Sequence, residues 1–126
     1  MNLPANGATA LSAKSFRLPA DQIKPLAAGR GTCFATDCIT VDGDKVGYMY
    51  RQAPDNGRDS GWRFFAGHES DDYVNDLDHI ALYDVNTIAN YDRDIIALLD
   101  APAGSAFQRD ASGAFHPVEF PVPDAE

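Results

Sequence analysis

The sequence predicts an α+β fold: a mostly antiparallel sheet with one main helix at about 92–100, short additional helices, and a single compact domain. Three observations predict it. Short β-rich runs recur between turn signals without regular crossover helices, which argues against a doubly wound parallel sheet. Ile95, Ile96, Leu98 and Leu99 make an apolar stripe at helical spacing behind Asp92. The 126 residues suit one domain, and 44% hydrophobic against 23% charged residues supply a core without staples.

Taken in order, residues 1–14 are small, polar and contain Gly and Pro. They are expected as a flexible N-terminal arm ahead of a domain over 15–126. Pro19 fits the first turn of a short helix that Pro25 limits, and Ala28–Gly31 reads as a turn. Thr32–Val41 and Lys45–Arg51 read as two strands, joined by Asp42-Gly43 as a hairpin turn. A loop follows, then an aromatic strand over Trp62–Ala66. A turn of helix is expected around Asp71–Asp76 and a strand over Ile80–Val85. Asn86 and Asp92 read as helix N-caps, and Asp100-Ala-Pro ends the main helix. Phe107 and Phe115 flank a turn at Asp110–Gly113, which predicts a closing hairpin. From Pro117 a Pro-rich tail is expected to be irregular.

Little in the chain points to catalysis, so an enzyme is not expected. There is no nucleophile elbow and no Gly-rich phosphate loop. Cys33 and Cys38, five apart on one expected strand, would face opposite ways, so reduced thiols rather than a disulfide are expected. The acids lack the spacing of a calcium loop, His68, His79 and His116 read as polar surface residues, and neither a metal nor a cofactor is expected. The N-terminus has no basic start or apolar core of a secretory signal, and no run approaches the roughly 20 apolar residues of a span. A cytoplasmic location without a membrane partner is expected.

Charge is the informative feature. The net charge is -9, and no Lys or Arg occurs from Phe64 to Asp92. Such a field repels nucleic acid and speeds encounter with basic proteins. The stretch reads either as a solvated acidic loop or as a docking face. In the second reading the partner-binding residues are Glu69, Asp71, Asp72, Asp76 and Asp78, with Tyr73 as an anchor. A candidate small-ligand pocket involves Arg51, Asp59, Trp62 and Arg63, with Trp62 at its rim. Against the pocket, Asp55 and Asp59 could simply pair with these arginines inside the fold.

Five segments taken together carry a resemblance: Gly-Thr-Cys-Phe-Ala-Thr-Asp-Cys-Ile (31–39), Val-Gly-Tyr-Met-Tyr-Arg (46–51), Asp-Ser-Gly-Trp-Arg-Phe-Phe-Ala-Gly (59–67), Tyr-Asp-Val-Asn-Thr-Ile-Ala-Asn-Tyr-Asp (83–92) and Leu-Leu-Asp-Ala-Pro-Ala-Gly-Ser-Ala-Phe-Gln-Arg-Asp (98–110). Over roughly 16–110 the chain resembles a bacterial immunity-protein family of polymorphic toxin systems, formerly catalogued as a domain of unknown function. It departs from the pattern at Cys38, where a basic residue is common. The resemblance implies a non-enzymatic inhibitor that binds a partner toxin, and it brings no active site to carry over. The expected partner is therefore a protein, a basic toxin domain; the oligomeric state stays open. The motifs also hold Arg51, Asp59, Ser60, Arg63, Asp84 and Asn86, polar residues that a core does not require. Asp84 and Asn86 read as turn and cap chemistry, while Arg51, Asp59 and Arg63 stay open between a shared pocket and a structural role.

Overall fold

The structure, a computed structural model, describes residues 15–121. The expected arm over 1–14 and residues 122–126 of the tail lie outside the described residues. Strands β1 (Thr32–Thr36), β2 (Tyr48–Arg51), β3 (Asp59–Phe65), β4 (Ile80–Asp84), β5 (Ala106–Arg109) and β6 (Phe115–Pro117) form one sheet in the order β4-β1-β3-β2-β5-β6. The β1–β3 pair is parallel and the other neighbours are antiparallel. Helices α1 (Asp37–Thr40), α2 (Asp71–Asn75) and α3 (Val85–Tyr91) are short, and tighter 3₁₀ turns occupy Ala20–Gln22, Leu77–His79 and Arg93–Leu98. The fold class is α+β, with a mixed sheet.

Three local expectations are corrected. The hairpin over 32–51 does not form: the chain turns into α1 after Thr36, and β3 lies between β1 and β2. Burial decides this, because the helical turn places Cys38, Ile39 and Thr40 inside. The Asp42-Gly43 pair supplies positive φ, but as the end of α1, where Asp42 N donates to Asp37 O and Gly43 N to Ile39 O. The main helix at 92–100 is instead a 3₁₀ stretch from Arg93 to Leu98, and the longest α-helix is α3 just before it. Its end is taken by the sheet: Leu99 O accepts from Trp62 Nε1 and Arg51 Nη1, each at 3.3 Å. Finally, Asn86 does not cap α3. Asp84 does, accepting from Asn86 N at 2.8 Å.

Strand pairing assigns each side chain to a face. Cys33, Ala35, Met49, Trp62 and Phe64 point to the side where Ile39, Val85, Ile88, Ala89, Ile95 and Leu99 close the core. The opposite face carries two cross-sheet rows: Leu82, Phe34, Arg63, Tyr50 and Ala106, and then Phe65, Tyr48, Gln108 and His116. Its aromatics are only half-buried, and Leu82 is 57% exposed. Helices α1 and α3 thus gather on one face, while α2 borders the other, whose aromatic strip Phe120 meets edge-on at Tyr50.

Candidate partner-binding face

The polar motif residues are engaged inside the fold. Asn86 Oδ1 accepts from Leu26 N at 2.8 Å and Ala27 N at 2.7 Å, and its Nδ2 donates to Lys24 O at 2.9 Å. Asn90, one turn on, clasps Lys24 through both N–H and C=O. Tyr91 donates to Thr40 O. Asp92 is buried, accepts from Val46 N at 3.0 Å, and pairs with Arg109. The motif at 83–92 therefore bolts four separate segments to α3.

Arg51 and Arg63 are likewise structural, and they point to opposite faces. Arg51 lies over the Trp62 ring and donates to Ser60 O, Leu99 O and Ala101 O. Trp62 is 1% exposed and packs in the core, with a cleft at its edge. Its single N–H finds Leu99 O in the interior, which removes the cost of burying it. Arg63 reaches back on the other face to Asp59 and stacks on Phe34. Residues four apart on a flat strand lie about 13 Å apart. Gly61, at φ +89, bends the strand where its register with β1 shifts, and that bend lets the pair meet. A Cβ at Gly61 would sit 2.2 Å from Gln52 O. Arg63's hydrogen bonds hold the Asp59 carboxyl far below its usual range against the opposing effect of burial. The four candidate pocket residues do not converge: Arg51 and Trp62 border a cleft of about 290 Å³ on the core side. Asp59 lines a cleft of about 700 Å³ with Thr32, Phe34, Arg58 and Leu82, and meets Arg51 in another of about 440 Å³ that Trp62 and Arg63 do not reach.

The acidic stretch divides in two. Asp71, Asp72, Asp76 and Asp78 are exposed, and the carboxylates of Asp71, Asp72 and Asp78 have no partner among the described residues. Asp76 accepts from Asp78 N and caps the following turn. Leu77 stands between these acids at 82% exposure. Glu69, expected to face a partner, turns inward. It accepts from Thr36 Oγ1 at 2.5 Å, Ala66 N at 2.7 Å and Gly67 N at 2.8 Å. Burial alone would raise its carboxyl, but these donors outweigh burial and keep it below the usual range. Tyr73, expected as an anchor, also turns inward: its ring stacks on His79 at 3.9 Å and its hydroxyl lies against Cys38. Glu69 and Tyr73 thus fasten the base of the segment whose outer acids reach solvent. No charge pattern in the sequence separates the two groups; only the tertiary fold does.

This segment borders the aromatic strip. Leu77, Ile80, Phe34, Tyr50, Arg63 and Phe65 share one shallow apolar cleft of about 240 Å³. An apolar centre beside a charged rim is the usual anatomy of a protein interface.

Residues 33–119 match the immunity protein Imm33 domain. The chain belongs to that family. No curated protein and no solved structure matches it. The Imm33 match covers the whole sheet except Thr32, and with it the motifs described above. Membership points to a toxin-neutralising immunity protein, with a protein toxin as the partner. Among the described residues of this Imm33 protein, no helix is long and apolar enough to cross a membrane.

Proposed function

We propose that this protein neutralises its toxin without catalysis, by covering a basic surface with the acidic segment over 69–78. The observation that carries the reading is the division of polar residues. Those of the family motifs are hydrogen-bonded within the fold, whereas Asp71, Asp72 and Asp78 extend into solvent beside an exposed Leu77 and a half-buried aromatic strip. In the proposed complex Leu77 is the apolar anchor, and Asp71, Asp72, Asp76 and Asp78 surround it. Toxins that act on nucleic acid carry basic surfaces to hold phosphates, and an acidic cover competes for that surface. The Cys33 thiol lies on the core side of β1, away from this face, and burial pushes it well above its usual range.

The test is parallel affinity capture from lysate of the source organism, with the parent protein and a D71K/D72K/D78K variant as baits at low and moderate salt. The expected result is a basic protein held by the parent at low salt, reduced at moderate salt and absent from the variant. The same proteins on both baits would remove the acidic segment from the interface.

A further inference from the structure

Three metal-ligating side chains from separate parts of the chain meet beneath the acidic segment. Cys38 lies on α1, Asp44 on the loop after it, and His68 just beyond β3. Cys38 Sγ, an Asp44 carboxylate oxygen and a His68 ring nitrogen all lie within 4.8 Å of one another. Asp44 N donates to Cys38 O at 2.9 Å, which fixes the loop against α1, and His68 Nε2 is 2.9 Å from Asp44 Oδ2. The ligands of a tetrahedral zinc ion lie roughly 3.3–3.8 Å apart, given bonds of about 2.0–2.3 Å. The three atoms therefore need to move by about an ångström to share one ion.

We propose that Cys38, Asp44 and His68 bind a divalent transition-metal ion of the zinc class. The donor set decides the class: a thiolate, an imidazole and a carboxylate suit zinc or cobalt, whereas magnesium and calcium take all-oxygen sets. Cys38 is buried, while His68 and Asp44 are open to solvent, so the ion is reached from outside. The arrangement does not suit a nucleophilic cysteine, because His68 Nε2 is engaged by Asp44 and the Tyr73 hydroxyl lies against Cys38. Bound metal would tie His68 and the adjoining Glu69 to α1, stiffening the base from which Asp71 and Asp72 project. This site is independent of the toxin reading and stands or falls by itself. Cys38 and Asp44 are six residues apart and lie 30 and 24 residues before His68, which is why no ligand spacing appears in the sequence.

The test is titration of the reduced full-length protein with cobalt(II), read by absorption. The expected result is a thiolate-to-cobalt charge-transfer band that saturates at one equivalent. It should be absent in C38S, and H68A should weaken binding about tenfold or more. H68A alters an exposed side chain and keeps the fold, so it decides the matter if C38S misfolds. Zinc should raise the melting temperature of the parent, and raise that of H68A less at the same concentration. No band at millimolar cobalt, a band that persists in folded C38S, or parent-like binding by H68A would overturn the proposal.

Discussion

Arg63 holds Asp59 through two parallel hydrogen bonds within one strand, Nη1 to Oδ1 at 2.9 Å and Nη2 to Oδ2 at 3.0 Å. The pair sits on the face of the sheet that the helices do not cover, and only the bend at Gly61 allows it. Both side chains are largely shielded, although the adjoining cleft admits water. Arg63→Ala should cost about 2–3 kcal/mol in urea unfolding, less than a fully enclosed pair because solvent screens what remains. Arg63→Lys should recover under half of that loss, since an ammonium cannot make the two-pronged contact.

The same pair sets an acid limit. Asp59 and Glu69 both have folded pKa values below their unfolded ones. Their contribution is complete above the unfolded value near 4 and is lost as pH falls towards the folded values. The part of the urea midpoint due to these two carboxylates should therefore be constant from pH 7 to about pH 5 and drop steeply below about pH 4. His68, raised by its hydrogen bond to Asp44, adds stability that is lost as pH rises through its titration. Asp59→Asn should flatten part of that acid limb while lowering stability at neutral pH.

Gly61→Ala should be among the most damaging small substitutions. The residue sits at φ +89 and its new methyl would meet Gln52 O at 2.2 Å. The conformational cost alone is about 1–2 kcal/mol, and the clash adds to it. A melting-temperature loss far larger than that of Gly57→Ala, where a Cβ has nothing within 4 Å, checks the claim.

Asn86→Ala removes three hydrogen bonds to residues 24–27; Ala27 N loses its partner, whereas Leu26 N and Lys24 O each keep another. The expected cost is about 1–3 kcal/mol. Hydrogen exchange should show the amides of Leu26 and Ala27 losing protection before the sheet does.

Much of this architecture was legible in the sequence, and the failures have a common cause. The aromatic run at 62–66, the Asp92 cap and the turn at Asp110–Gly113 all carry local signals, and each appears in place. The stretch Thr36–Thr40 misleads because its β-branched and apolar residues favour a strand, while burial of Ile39 and the Thr40–Tyr83 hydrogen bond favour the helix seen. Asp42-Gly43 offers positive φ equally well to a hairpin and to a helix end. At the candidate face, composition marks the acidic segment but says nothing about which acids turn inward. Thr36 and Cys38, which draw in Glu69 and Tyr73, lie more than 30 residues earlier. The cluster of Cys38, Asp44 and His68 is hidden for the same reason.

Neutralisation by the acidic segment is tested most directly by growth. A host producing the basic protein captured by this chain would be grown alone, with the parent protein, and with D71K/D72K/D78K. Those three carboxylates have no side-chain partner among the described residues, so the variant should keep its fold, with a small loss of melting temperature because lysines replace acids in the first turn of α2. The captured protein should arrest growth, the parent should restore it, and the folded variant should not. A captured protein that is harmless, or equal rescue by parent and variant, would contradict it.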